Sequence, residues 1–298
     1  PTRRSSDLPG FSEHSCKLIS KPNSDGTFGL AVVNEGMASA EQMAPLQVEM
    51  WNGDDQAELT ESLSGGYSSV KEEAEGWVCT GTLTLKKDVT FLFNDTWKVD
   101  GKVLRLDRTV NVNGNAPGGF LSAATLKIVS PVQWPQVEWF VPGMIYGNFD
   151  LIPDFAIGGR KYYRPGDYTV RIREDRMPAP LMSARFRDGS TLAVLDPKPN
   201  GESTAAESMG FSYEKMADEK FQFGAVGAQE CGETITMGYW FPGSEGEQSY
   251  SEKRPGINGG QSHHRWRWRL HPVKNGLTQQ YSVAFSFGKA SGFPESMS

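Results

Sequence analysis

Four consecutive charges, Arg173-Glu174-Asp175-Arg176, follow a period-two run and precede Met177-Pro178-Ala179-Pro180. On an extended backbone Arg173 and Asp175 point one way, Glu174 and Arg176 the other. Each face then sets a carboxylate beside a guanidinium. Two readings stand: an ion-paired loop bracing a sheet edge, or a polar ligand site at a sheet end. The Pro-x-Pro break stops the strand and holds the loop extended, which lowers the ordering cost for a ligand. The whole stretch from Asp167 to Asp196 reads as strand, charged turn and hairpin.

Other chemistry is excluded by what the sequence lacks. It has no G-x-S-x-G elbow, H-E-x-x-H helix, P-loop or dinucleotide fingerprint. His263 and His264 are adjacent, so on a strand they face opposite ways. Asn52-Gly53-Asp54-Asp55 is too short for a calcium loop. Cys16, Cys79 and Cys231 have neither disulfide-framework nor zinc spacing. No catalytic residue, metal or cofactor is therefore assigned. A net charge of −6 over 298 residues argues against nucleic acid as a partner. No apolar run reaches membrane-span length.

The elements that must position these residues are strands. Gly (33) and Pro (18) punctuate short runs rich in Val, Ile, Thr, Phe, Tyr and Trp, the pattern of a large antiparallel two-sheet β-sandwich. Only 38–44 and 202–208 read as short helical turns, and Gly243 to Gly260 reads as a long exposed loop. Asp100-Gly101, Asp188-Gly189 and Asn275-Gly276 each predict a two-residue hairpin loop. At Asn275-Gly276 the implied register pairs Leu270 with Tyr281, Trp268 with Val283 and Trp266 with Phe285. The other face then carries Arg265, Arg267 and Arg269 as a cationic strip. At Asp100-Gly101 it pairs Trp97 with Leu104 and Phe93 with Arg108, leaving Asp95 and Arg108 as diagonal neighbours on an otherwise apolar face. Two lone charges there predict a buried salt bridge.

With this strand ladder in view, FLFNDTWKVDGKVLRLDRTVNVNGNAPGGFLSAATL and VEWFVPGMIYG carry a resemblance. The chain resembles the supersandwich, or galactose-mutarotase-like, domain that precedes an α/α-toroid in bacterial glycoside hydrolases and polysaccharide lyases. The resemblance spans most of 28–288. It implies a carbohydrate partner, catalytic carboxylates on the toroid, and a sandwich that scaffolds the sugar cleft and forms part of its wall. By that analogy Trp139, Tyr146 and Arg173, Glu174, Asp175 and Arg176 are the candidate substrate-binding residues. Mutarotases use two histidines and a carboxylate on separate strands, a pattern from which His263-His264 departs.

Residues 1–8, PTRRSSDL, resemble a translated sequencing adapter and are expected to be a scar at the edge of a metagenomic fragment. The sandwich is expected over 9–288, with 289–298 opening a missing C-terminal domain. Two rivals remain: a stand-alone sugar-binding module, favoured by exposed, coplanar Trp134, Trp139, Tyr162 and Tyr163, and a stand-alone mutarotase-like epimerase, favoured by a histidine and a carboxylate converging in one concave pocket.

Overall fold

Alternation of apolar and polar residues builds the strands Leu46–Trp51, Gly76–Leu85, Val89–Asp100, Val103–Asn113 and Glu138–Val141, whereas Gly119–Ile128, Ser190–Leu195 and Thr234–Phe241 are buried on both faces. The computed structural model describes residues 16–33, 40–52, 59–74, 76–85, 88–143, 145–147, 169–174, 177–199, 217–243 and 269–289. Nineteen strands run in chain order: β1 (Lys17–Pro22), β2 (Phe28–Val33), β3 (Ala40–Gln42), β4 (Leu46–Trp51), β5 (Leu59–Gly65), β6 (Ser69–Glu73), β7 (Gly76–Leu85), β8 (Val89–Asp100), β9 (Val103–Asn113), β10 (Gly119–Ile128), β11 (Glu138–Val141), β12 (Ile145–Gly147), β13 (Thr169–Arg173), β14 (Leu181–Arg185), β15 (Ser190–Leu195), β16 (Ala225–Cys231), β17 (Thr234–Phe241), β18 (His271–Pro272) and β19 (Thr278–Lys289). The expected two-sheet antiparallel sandwich is what forms.

One sheet has 10 strands along the path β1-β2-β3-β10-β17-β16-β13, with β4 and β18 also pairing β10 and β5 pairing β4. The other has 9, in the order β12-β11-β14-β15-β19-β9-β8-β7-β6. Phe91, Phe93, Trp97, Leu104, Leu106 and Val110 of the second sheet share one core with Val48, Phe120, Leu126 and Met237 of the first. Alternate residues on β4, β10 and β17 point out of that core. There Trp51, Leu121, Ala123 and Trp240 join Leu270 in a second, smaller apolar cluster.

The three turn dipeptides resolve differently from expectation. The β8–β9 loop is Gly101-Lys102, with Asp100 facing Val103 and Asp95 directly opposite Arg108. This is a slip of two residues from the expected register, which preserves every side chain's face. Positive φ falls on Gly101 (55°) and not on Asp100, so glycine takes the first central position, as in a II′ turn. At Asp188-Gly189 the loop has three residues. Phe186 N donates to Ser190 O, and Gly189 stands at φ 81°, the G1-bulge arrangement.

Asn275-Gly276 is not a hairpin. Leu277 N donates to Lys274 O, closing a turn, but β18 pairs β10 in one sheet while β19 pairs β9 and β15 in the other. The turn carries the chain across the sandwich, so Leu270 lies in the outer cluster and does not face Tyr281. On the second arm Leu277, Tyr281, Val283 and Phe285 join the main core, whereas Leu270 of the first arm is buried in the outer cluster. Trp266, Trp268, Arg265 and Arg267 lie outside the described residues. So do 202–208 and residues 244–260 of the expected loop. The helical turn expected at 38–44 contains β3 instead, a strand that fills the gap between β2 and β10.

Candidate functional site

A polar-lined cleft lies where β15 ends early. It pairs β19 from Ala284 to Lys289 and stops at Leu195. The first half of β19 continues along β9 from Thr278, so its other edge is left open by β15. A cavity of about 570 Å³ opens at this step, lined by Asn94, Thr96, Asp107, Arg108 and Thr109, by Asp196, Lys198, Pro199 and Gln222, and by Tyr239, Phe241, Gln280, Tyr281 and Ser282. The volume lies in the range of small-ligand sites.

Behind the wall stands an acid cluster. Tyr239 OH lies 3.1 Å from Glu174 Oε2 and 3.1 Å from Asp196 Oδ2. Glu174 Oε1 accepts a hydrogen bond from Gly224 N at 2.8 Å, and Asp196 Oδ1 accepts one from Lys198 N at 2.7 Å. All three side chains are buried, yet Asp196 and Tyr239 line the cavity. Burial, then the neighbouring Asp196 carboxyl, push the Glu174 carboxyl up to about 8. Burial, then Glu174 and Asp196, likewise raise the Tyr239 phenol far above its ordinary range. Gly224 makes the arrangement sterically possible: a Cβ there would meet Tyr239 Cζ at 2.0 Å and the hydroxyl oxygen at 2.1 Å.

Across the cleft, burial pushes Asp107 up, but the Ser282 hydroxyl and the Arg105 guanidinium outweigh it and hold the carboxyl below its ordinary value. Deeper in, Arg108 ties the two sheets together. Its Nε and Nη2 reach both oxygens of Asp95 at 2.8 and 2.6 Å, while Nη1 and Nη2 also bond the Ala123 and Pro45 carbonyls. Tyr67 OH donates to Asp95, and Trp97 Nε1 donates to Tyr67 OH at 2.9 Å. Both members of the ion pair have side chains 0% exposed. The buried salt bridge expected from sequence is present, with the partners directly opposite instead of diagonal.

The sequence-derived candidates scatter. Glu174 belongs to the acid cluster, though it reaches the cavity only through Tyr239 and Asp196. Arg173 is 1% exposed, its guanidinium 5.1 Å from the Phe223 ring centroid, so it is not the partly exposed group expected there. Trp139 is corrected too: it is fully buried, 4.5 Å from Trp134, which is also fully buried. Alternation on β11 turns Trp139 into the core and a short 3-10 turn over Trp134–Gln136 packs Trp134 against it, so neither ring is exposed. Asp175, Arg176, Tyr162, Tyr163, His263, His264 and the side chain of Tyr146 lie outside the described residues.

His271 is buried and does not line the cavity. Its Nε2 lies 2.7 Å from Phe221 O and its Nδ1 3.1 Å from Gln279 Nε2. Burial brings its pKa down to about 4, so it stays neutral near pH 7. Sequence reasoning missed Asp196, Tyr239 and Gln222. Asp196 had a faint signal as the first charge after the buried run of β15; Tyr239, inside MGYWF, reads only as core.

No protein-family model matches the chain, and no curated protein matches it. Among solved structures it is similar to a galactose mutarotase related enzyme from Lactobacillus acidophilus, at 9% identity and TM-score 0.42, covering 92% of this chain and 98% of that one. It is also similar to a protein from Synechocystis, at 11% identity and TM-score 0.43, covering 95% of this chain and all (100%) of that one. Likeness at this level transfers neither a residue nor an activity to the present chain.

Proposed function

We propose that this sandwich is a carbohydrate-binding wall domain of a carbohydrate-active enzyme, and that the cleft beside β19 takes the sugar. One observation carries the reading: a cavity of about 570 Å³ whose rim presents amide, hydroxyl, carboxylate and ammonium groups within a single concavity. Such a lining offers donors and acceptors in several directions, which a polyhydroxylated ligand can satisfy at once. Gln222, Gln280 and Ser282 are polar without net charge, and Asp196 supplies a strong acceptor. The epimerase alternative asked for a histidine in the cavity, and among the described residues none lines it.

The test is a glycan array on the full chain, followed by calorimetry on any sugar it retains. The reading predicts binding that weakens at least tenfold, about 1.4 kcal/mol, in Asp196→Asn or Gln280→Ala. It also predicts no turnover of polysaccharides or aryl glycosides by the chain alone. Binding untouched by both substitutions would move the site elsewhere, and robust turnover would reject the wall role.

A further inference from the structure

Tyr239 has one hydroxyl proton and two carboxyl neighbours, each at 3.1 Å. A phenol donates once, so it can satisfy only one ionised carboxylate. Were both ionised, the second contact would press lone pairs together in the interior. Among the described residues no guanidinium or ammonium bonds to either carboxyl. Their other oxygens are already committed to the backbone N–H groups of Gly224 and Lys198. The geometry is satisfied when one carboxyl keeps a proton and donates. Position selects which one: Asp196 lines the cavity, whereas Glu174 lies off the lining behind Tyr239.

We propose that Glu174 is a positioning residue that retains this proton, so that Asp196 stands as a single ionised acceptor in the cleft wall and selects neutral, hydroxyl-donating saccharides over acidic ones. The proposal rests on the carbohydrate reading above. The groups facing Glu174 are Asp196 from the end of β15, Tyr239 from β17 and the Gly224 backbone before β16; Arg173, on its own strand, stacks on Phe223 instead. Their combined effect, a Glu174 carboxyl raised to about 8, agrees with the count of donors. When Glu174 ionises, two carboxylates share one hydroxyl and the acceptor geometry at Asp196 is lost. An acidic sugar would meet Asp196 and Asp107 within one cavity, where Lys198 is exposed at the rim and the Arg108 guanidinium, fully buried, is already paired with Asp95.

The experiment has two arms on the full chain. In the first, carboxyl-13C glutamate is followed by NMR from pH 5 to 10. One glutamate should titrate near pH 8 and vanish from the set in Glu174→Gln. In Tyr239→Phe, which keeps the ring and serves if the first variant does not fold, the same resonance should titrate at higher pH. In the second arm, maltotriose, cellotriose and trigalacturonate are titrated by calorimetry at pH 6.5 and 9.5. A neutral trisaccharide should bind at pH 6.5 and lose at least tenfold at pH 9.5, whereas Glu174→Gln should bind it equally at both. The absence of any glutamate titrating above pH 6.5 overturns the proton assignment, whatever sugar binds. A normal titration near pH 8 with no trisaccharide bound overturns the carbohydrate reading and the selectivity with it. Tighter binding of trigalacturonate than of both neutral sugars overturns the selectivity alone.

Discussion

Asp95 meets Arg108 in the core as an opposite charge, whereas Glu174 meets Asp196 behind the cleft as a like charge. Both pairs are buried and each involves a tyrosine hydroxyl. In the first, the guanidinium donates to both carboxylate oxygens and to two backbone carbonyls, and the carboxylate accepts from Tyr67 as well. Charge and hydrogen bonds close on themselves, and nothing is left for a ligand to supply. In the second, the hydrogen-bond count closes only with an added proton; each pair places one member in the cavity lining, Arg108 with its guanidinium already committed and Asp196 without a cation bonded to it among the described residues. A buried pair of opposite charges braces the fold, while a buried pair of like charges keeps chemistry in reserve. The contrast separates two polar clusters that burial alone would treat as equivalent.

The comparison breaks first at its strong end. Asp95→Ala or Arg108→Ala should each cost about 3–5 kcal/mol, because each leaves a buried charge without its partner. Replacing both by apolar residues should recover much of that loss in urea unfolding. Single variants within about 0.5 kcal/mol of wild type would place the pair among surface contacts. Gly224→Ala comes next, at about 1–3 kcal/mol from overpacking against Tyr239. It should also displace the hydroxyl from between the carboxyls, so the high glutamate titration should change along with stability. A variant that melts like wild type and titrates like it would show that the ring has room to move.

The smallest effect is a slope. Glu174 has an ordinary value of 4.5 and sits near 8 when folded, so between those values the folded chain keeps a proton that the unfolded chain has released. Its stabilising contribution is complete below about 4.5 and is lost as pH rises through 8. His271 works oppositely: folded near 4 against an ordinary 6.5, it gives stability that grows as pH rises across that lower window. Of these two groups only Glu174 acts between pH 6.5 and 8.5. There, stability should fall by at most about 1.4 kcal/mol per pH unit, and Glu174→Gln should flatten the decline. Thermal melts at four pH values would read it. A slope retained in that variant would assign the decline to other groups.

How far the sequence carried differs between the same two regions. Asp95 and Arg108 were legible because each interrupts an apolar face of strict alternation, and a charge in that position must find a partner. Even with the hairpin register displaced by two residues, parity kept both on the same face. Asn275-Gly276 misled for a related reason: alternation shows that a strand buries one face without showing against what. The acid cluster was half legible. Glu174 stood out within its charged run, but its partner Tyr239 lies 65 residues away in sequence and on another strand, and Asp196 a further 43 from that tyrosine on the return. Trp139 and Arg173 were misplaced because aromatic and guanidinium side chains serve a core as readily as a sugar, and only burial distinguishes the two.

The most direct measurement pairs melting temperature with saccharide affinity on Glu174→Gln at pH 8.5, where wild-type Glu174 is largely ionised. Glutamine reproduces the donor and acceptor pattern of the protonated acid without its titration. The account predicts that the variant melts no lower than wild type and binds a neutral saccharide about fourfold more tightly at that pH, the factor set by the quarter or so of wild type still protonated. A lower melting temperature with unchanged affinity would contradict it, and would make the Glu174–Asp196 cluster a brace like the Asp95–Arg108 pair.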